Sequence, residues 1–284
     1  MPSLDYDPSR KALYQPELRE TLLGPGLSEV QLALECARLA YYRFDEDGAE
    51  AERLTKALAL AGFGAPTLFK HPGSDGEGFA AVDAAGRGLL AFRGTQPDRI
   101  GDLVTDARTN TAAWTLEGGR GKVHAGFRNT ALGLWPEVQD WLGKTRPQRL
   151  IACGHSLGAA IATLLAVPAR AQRLVTIGSP RVGNAEFVAH VAASGLENTR
   201  VVDCCDVVTE IPPALLGFEH LPGLFVYLDR DGGQHPEAAP ALIDADRQAA
   251  RRDYLGRYAF RLGTVLIRDL ADHAPVNYLR AFWP

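Results

Sequence analysis

Arg149-Leu150-Ile151-Ala152-Cys153-Gly154-His155-Ser156-Leu157-Gly158-Ala159-Ala160-Ile161-Ala162 is the stretch on which the reading of this chain turns. An apolar run ends at Gly154, a serine follows two residues later, and small and aliphatic residues then continue to Val167. This spacing predicts a strand, a tight turn and a helix, with Gly154-His155-Ser156-Leu157-Gly158 filling the G-x-S-x-G pattern. A serine at the apex of such a turn has strained backbone angles, and side chains at the flanking positions would strike the strand or the helix. Glycine removes the Cβ that would collide. The start of the helix offers unpaired N–H groups and a partial positive charge to an oxyanion forming on a substrate. A bare G-x-S-x-G also arises by chance, as a glycine-rich turn. The flanking strand and helix patterns favour a nucleophile.

Working outward, the bulk properties narrow the classes. A chain of 284 residues is long enough for one α/β domain with a substantial core, and one domain over 1–284 is the expectation. A formal net charge of −4 argues against a nucleic-acid or polybasic membrane-binding protein. No apolar run is long enough to span a bilayer. Met1 to Asp7 is acidic and lacks an apolar core, so it does not read as a secretory signal. The four cysteines show no disulfide or metal spacing. The expected location is the cytoplasm, unless a leader has been removed, and no metal or organic cofactor is implied.

Residues 1–26 read as an irregular arm. Ser28 to Gln31 forms a capping-box start for a helix through Ala40, and a second helix is expected from Ala49 to Leu60. Pro66–Lys70, Gly78–Asp83 and Gly88–Arg93 are predicted strands. The last runs into Gly94-Thr95, where a backbone N–H can sit at the carboxyl edge of the sheet. Thr95 and Leu157 are therefore the candidate oxyanion donors. Residues 96–122 are the candidate lid, largely polar, with Ile100, Leu103, Val104, Trp114 and Leu116 its main apolar members. A helix is expected after Phe127, with Pro136 in or near its first turn. Arg173–Pro180 and Thr199–Cys204 complete a β-α-β-α-β succession, the doubly wound signature of a mostly parallel sheet with helices on both faces.

A serine nucleophile needs a base, and the base needs a carboxylate to hold its tautomer, in the chain order Ser, Asp or Glu, His. Asp206 falls just past the 199–204 strand; Asp203 lies within it and Glu210 a turn beyond. Asp206 is preferred. Of seven histidines, His273 follows a helical run near the C-terminus and is best placed to swing over the sheet edge. His124 reads as a turn histidine supporting the elbow. Arg247, Arg251 and Arg252 with Asp244, Asp246 and Asp253 read as a solvated helix face.

Phe92-Arg93-Gly94-Thr95, Val123-His124-Ala125-Gly126-Phe127, Gly154-His155-Ser156-Leu157-Gly158, Gly178-Ser179-Pro180-Arg181-Val182-Gly183-Asn184 and Asp206-Val207-Val208 occur in that order. Together they resemble the class 3, fungal-lipase-like family of α/β-hydrolases over about Leu89 to Tyr278. The resemblance implies a lipase or esterase with Ser156 as nucleophile, Asp206 and His273 completing the triad, and Thr95 with Leu157 as the oxyanion hole. Its substrate would be an acylglycerol or similar acyl ester, with transient contact at a lipid interface. Phospholipase A1, thioesterase or acyltransferase activity on the same triad remain alternatives, as does a non-catalytic binding module. The chain has Asp102-Leu103 where many relatives have Asp-Trp, and Thr209 where a proline is usual. These departures leave the triad intact and weaken the expectation of strong interfacial activation.

Overall fold

A computed structural model describes residues 4–43, 48–71, 73, 76–94 and 110–283. Its helices are α1 (Arg10–Tyr14), α2 (Glu29–Leu39), α3 (Gly48–Leu60), α4 (Ala125–Thr145), α5 (Leu157–Ala166), α6 (Ala185–Ala192), α7 (Pro240–Arg257), α8 (Arg268–Ala271) and α9 (Pro275–Leu279). Its strands are β1 (Thr67–Lys70), β2 (Glu77–Val82), β3 (Arg87–Phe92), β4 (Thr111–Ala113), β5 (Lys122–His124), β6 (Arg149–His155), β7 (Arg173–Ile177), β8 (Gly183–Asn184), β9 (Glu197–Asp203), β10 (Phe218–Glu219), β11 (Leu224–Leu228) and β12 (Gln234–Pro236). Eight strands form one sheet in the order β1-β2-β3-β6-β7-β9-β11-β12. The five from β3 to β11 run parallel, while β1, β2 and β12 pair antiparallel at the two margins. This is the mostly parallel, helix-covered sheet the sequence predicts.

Alternation along the strands explains why both faces are covered. Leu90 and Phe92 of β3 and Leu150 and Ala152 of β6 enter one core with α4 and α5. Their neighbours Leu89, Ala91, Ile151 and Cys153 enter the opposite core with α2 and α3. A strand apolar on both sides must be sandwiched, which leaves only the strand ends open for chemistry. All ten residues of α5 are buried, as expected of a helix apolar all round and wedged between the sheet and α4.

α4 departs from expectation. It begins at Ala125, so Pro136 lies well inside it rather than in the first turn. Proline forfeits one i→i−4 bond there. The helix continues because Phe127, Ala131, Leu134, Trp135, Val138 and Trp141 bury a stripe on both sides of the proline. The arm is also more ordered than expected. It contains α1 and a single 3₁₀ turn, Pro16–Leu18, and the Asp7 N–H donates to Asn277 (2.9 Å). Of the expected lid, residues 96–109 lie outside the described residues. Beyond them the segment forms β4, a 3₁₀ turn and the start of β5, in a small sheet ordered β10-β8-β5-β4.

Candidate active site

The ends of β3, β6, β7 and β9 are level: Phe92 lies beside Gly154, His155 beside Ile177, and Ile177 beside Val201. Every segment that leaves them therefore departs from one edge. β6 turns into α5 at Ser156, whose φ of 56° and ψ of −126° put it in a region that residues with a Cβ rarely occupy. Gly158 is required two residues on, because a Cβ there would run into the Phe92 carbonyl. Gly178, at φ 57°, makes room for the partners. A Cβ at this position would stand 2.9 Å from Asp206 Oδ2 and 3.1 Å from His273 Cε1.

Ser156, Asp206 and His273 meet at this edge, all buried. His273 Nδ1 lies 2.8 Å from Asp206 Oδ2, and Nε2 lies 2.9 Å from Ser156 Oγ. A carboxylate can only accept, so Nδ1 carries the proton and Nε2 is left to accept from the serine hydroxyl. The Val208 N–H donates to Asp206 Oδ1 (2.9 Å), and the Tyr278 hydroxyl donates to Oδ2, the oxygen that also holds His273. Burial beside Asp206 and Asp203 raises the Tyr278 pKa well above its usual value, so it remains a donor.

His155 sits behind the base. Its Nε2 is 2.8 Å from the His273 carbonyl and its Nδ1 is 2.6 Å from the Tyr41 hydroxyl. A carbonyl only accepts, so Nε2–H donates and Nδ1 accepts from Tyr41. Burial, then the neighbouring His273, push the His155 pKa well below its normal value and keep the ring neutral. Asp272 fastens the two triad-bearing loops together. Its Oδ1 accepts from Tyr6 (2.8 Å), and its Oδ2 accepts from Cys205 N–H and Arg268 Nε (both 3.0 Å). Cys205 precedes Asp206 as Asp272 precedes His273, so one carboxylate sets the spacing of both loops.

Cys204, Cys205 and Asp272 bring ligand atoms within 4.8 Å of one another. Asp272 Oδ2 is already taken by Arg268, whose positive charge would repel a metal ion. The cluster is built as a hydrogen-bonded clamp.

Leu157 opens α5, so its N–H has no partner a turn back in the helix. Thr95, the other oxyanion candidate, lies outside the described residues. The rival residues are engaged elsewhere. Asp203 pairs with Arg280 (3.4 Å) and Glu210 with Arg247 (2.8 Å). His124 caps α4 through Phe127 N–H, and His235 meets Asp229 (2.6 Å). The face of α7 read as solvated is partly turned inward: Arg247 donates to the Cys204 carbonyl (2.7 Å), and Asp246 accepts from Tyr227 (2.8 Å). Sequence reasoning gave no role to Tyr41, Tyr6, Asp272 or Tyr278. Their partners lie 67 to 266 positions away, and no local pattern signals contacts of that range.

A serine on a strained turn, hydrogen-bonded to a histidine held by aspartate at the carboxyl edge of a mostly parallel sheet, defines an α/β-hydrolase. The model of the family described as lipase (class 3) matches residues 89–216. A lipase of Rhizopus niveus is 36% identical over 148 residues, 48% of this chain and 37% of that protein. The chain thus spans well under half the length of that relative. Secreted mono- and diacylglycerol lipase A of Penicillium cyclopium is 26% identical over 211 residues, 69% of this chain and 68% of that one. Among solved structures, lipase II from Rhizopus niveus superposes with a TM-score of 0.57 at 29% identity, over 70% of this chain and 78% of that one. The lipase from Rhizopus microsporus var. chinensis does so with 0.58 at 25%, over 80% and 82%. Over residues 89–216 the chain matches the class 3 lipase family, and its fold is that of the α/β-hydrolases.

Proposed function

We propose that this chain is a serine carboxylic-ester hydrolase that cleaves acylglycerols or similar acyl esters through an acyl-serine intermediate. The continuous line from Ser156 Oγ through His273 to Asp206 carries the reading. His273 Nε2 takes the hydroxyl proton as Oγ attacks the ester carbonyl, and Asp206 stabilises the imidazolium that results. The negative charge on the carbonyl oxygen is met by the Leu157 N–H and by the second donor assigned to Thr95. Imidazolium then protonates the departing alkoxide, and the acyl group stays on Ser156. Water, deprotonated by the same nitrogen, releases the carboxylic acid and restores the serine. The acylglycerol assignment draws on the relatives named as a lipase and as a mono- and diacylglycerol lipase. A cytoplasmic location belongs to the same proposal, to be checked by fractionating cells that express the full gene.

Hydrolysis of p-nitrophenyl butyrate, with fluorophosphonate labelling alongside, tests the activity. The chain should turn over the ester and take up the label. Ser156→Ala should do neither while keeping the native circular dichroism spectrum. A Ser156→Ala variant as active as the parent would rule the mechanism out.

A further inference from the structure

α7 reaches the carboxyl edge of the large sheet at Arg247, bonded to the Cys204 carbonyl, and the chain returns to that edge at Asp272, bonded to Cys205 N–H. The excursion between them carries Leu255, Phe260, Leu262, Leu266 and Ile267. Phe260 and Leu262 are 95% and 105% exposed, and the other three lie between 48% and 65%. Lone apolar side chains are ordinary on any surface; this density within one loop is not.

Nor is the loop a stray piece of core. It has its own inside, where Tyr254 and Val265 are buried and the Tyr254 hydroxyl bonds the Val265 carbonyl (2.6 Å). Backbone bonds from Val265 N–H to Pro8 (2.9 Å) and from Arg10 N–H to Gly263 (2.8 Å) brace it against the arm. The outward residues are therefore presented on a held backbone.

Charge indicates what the loop meets. The whole chain is acidic at −4, yet residues 251–269 hold five arginines and two aspartates. Arg252, Arg257 and Arg261 are exposed around the apolar tip, Arg261 over the Tyr258 ring. Apolar side chains fringed by guanidinium groups match the acyl layer and the anionic headgroups of a lipid surface.

We propose that the 255–267 loop is a lipid-docking surface that sets the sheet edge bearing Ser156 against an anionic lipid layer. Its purpose rests on the ester-hydrolase reading, but the binding does not. By sequence the 96–122 stretch is largely polar, whereas the loop presents five exposed apolar side chains.

Co-sedimentation with vesicles of phosphatidylcholine, alone or mixed equally with phosphatidylglycerol, tests it. The native chain should bind the mixed vesicles more tightly. Phe260→Ser with Leu262→Ser should weaken binding by about tenfold or more, because two large apolar side chains no longer enter the acyl layer. Arg257→Gln with Arg261→Gln should erase the preference for phosphatidylglycerol, and both pairs should hydrolyse soluble p-nitrophenyl butyrate at the native rate. The proposal is overturned if the native chain binds neither vesicle or if the serine pair binds as the native chain does. It is equally overturned if the native chain sediments as a dimer that the serine pair dissolves, with no vesicle binding, because the loop would then contact a second copy. Vesicle binding without ester hydrolysis would uphold the docking surface and reject the enzyme.

Discussion

Tyr278 and His273 both donate to Oδ2 of Asp206, so the carboxylate's position depends on a hydroxyl outside the Ser156–His273–Asp206 line. A hydrogen bond to a charged group contributes about 1.5–3 kcal/mol. Tyr278→Phe should lower kcat about tenfold with KM unchanged, read in a steady-state assay; equal kcat would show that Asp206 is held without it. Asp272 acts at the same scale with larger stakes. Asp272→Asn leaves the buried Arg268 guanidinium without its carboxylate, which costs about 3–5 kcal/mol for a broken buried pair. A urea melt should show that loss, and a midpoint shift near zero would mean Arg268 finds another acceptor. The sequence pointed to Ser156, Asp206 and His273, which the structure brings together, because strand ends, turn and chain order constrain them. It did not reveal Tyr278 or Asp272, because what recruits them is the meeting of the two termini of the chain, where Tyr6 reaches Asp272.

Among the elements, α4 and the β6–α5 turn are set by opposite considerations. α4 tolerates Pro136 because its buried stripe outweighs one missing bond. Pro136 itself is exposed, so Pro136→Ala should regain the bond and stabilise the fold by about 1–2 kcal/mol after the unfolded chain's added freedom is deducted. No gain in denaturation midpoint would show that the helix has already relaxed around the proline. The turn tolerates nothing. At Gly158 a methyl group would meet backbone, which cannot rotate away, so Gly158→Ala should abolish activity or yield insoluble chain. The period-2 and 3.6-residue patterns made most elements legible. They could not show the extent of α4, where a strong local breaker is overruled by tertiary burial, or the inward face of α7, whose partners are the Cys204 carbonyl just past β9 and the Tyr227 hydroxyl of β11.

Over the whole molecule, the pH response follows from histidines kept neutral by burial. His155 is pushed well below its usual pKa, and His220 down to about 3 by burial and then the nearby Arg200 and Arg181. In the unfolded chain both take up protons below about pH 6.5. The folded state does not, so it loses stability as pH falls from about 6.5 towards the folded values, by up to about 1.4 kcal/mol per pH unit for each buried ring. Urea midpoints measured from pH 7 to pH 5 should fall, and fall less steeply in His155→Gln; parallel profiles would assign the acid sensitivity to other groups.

The proposed mechanism requires Ser156 to form a covalent bond to the acyl group. Rapid quenching of a reaction with p-nitrophenyl butyrate, followed by peptide mass mapping, should find a butyryl group on the peptide containing Ser156 and nowhere else. Release of p-nitrophenol with that peptide unmodified at every quench time would contradict it.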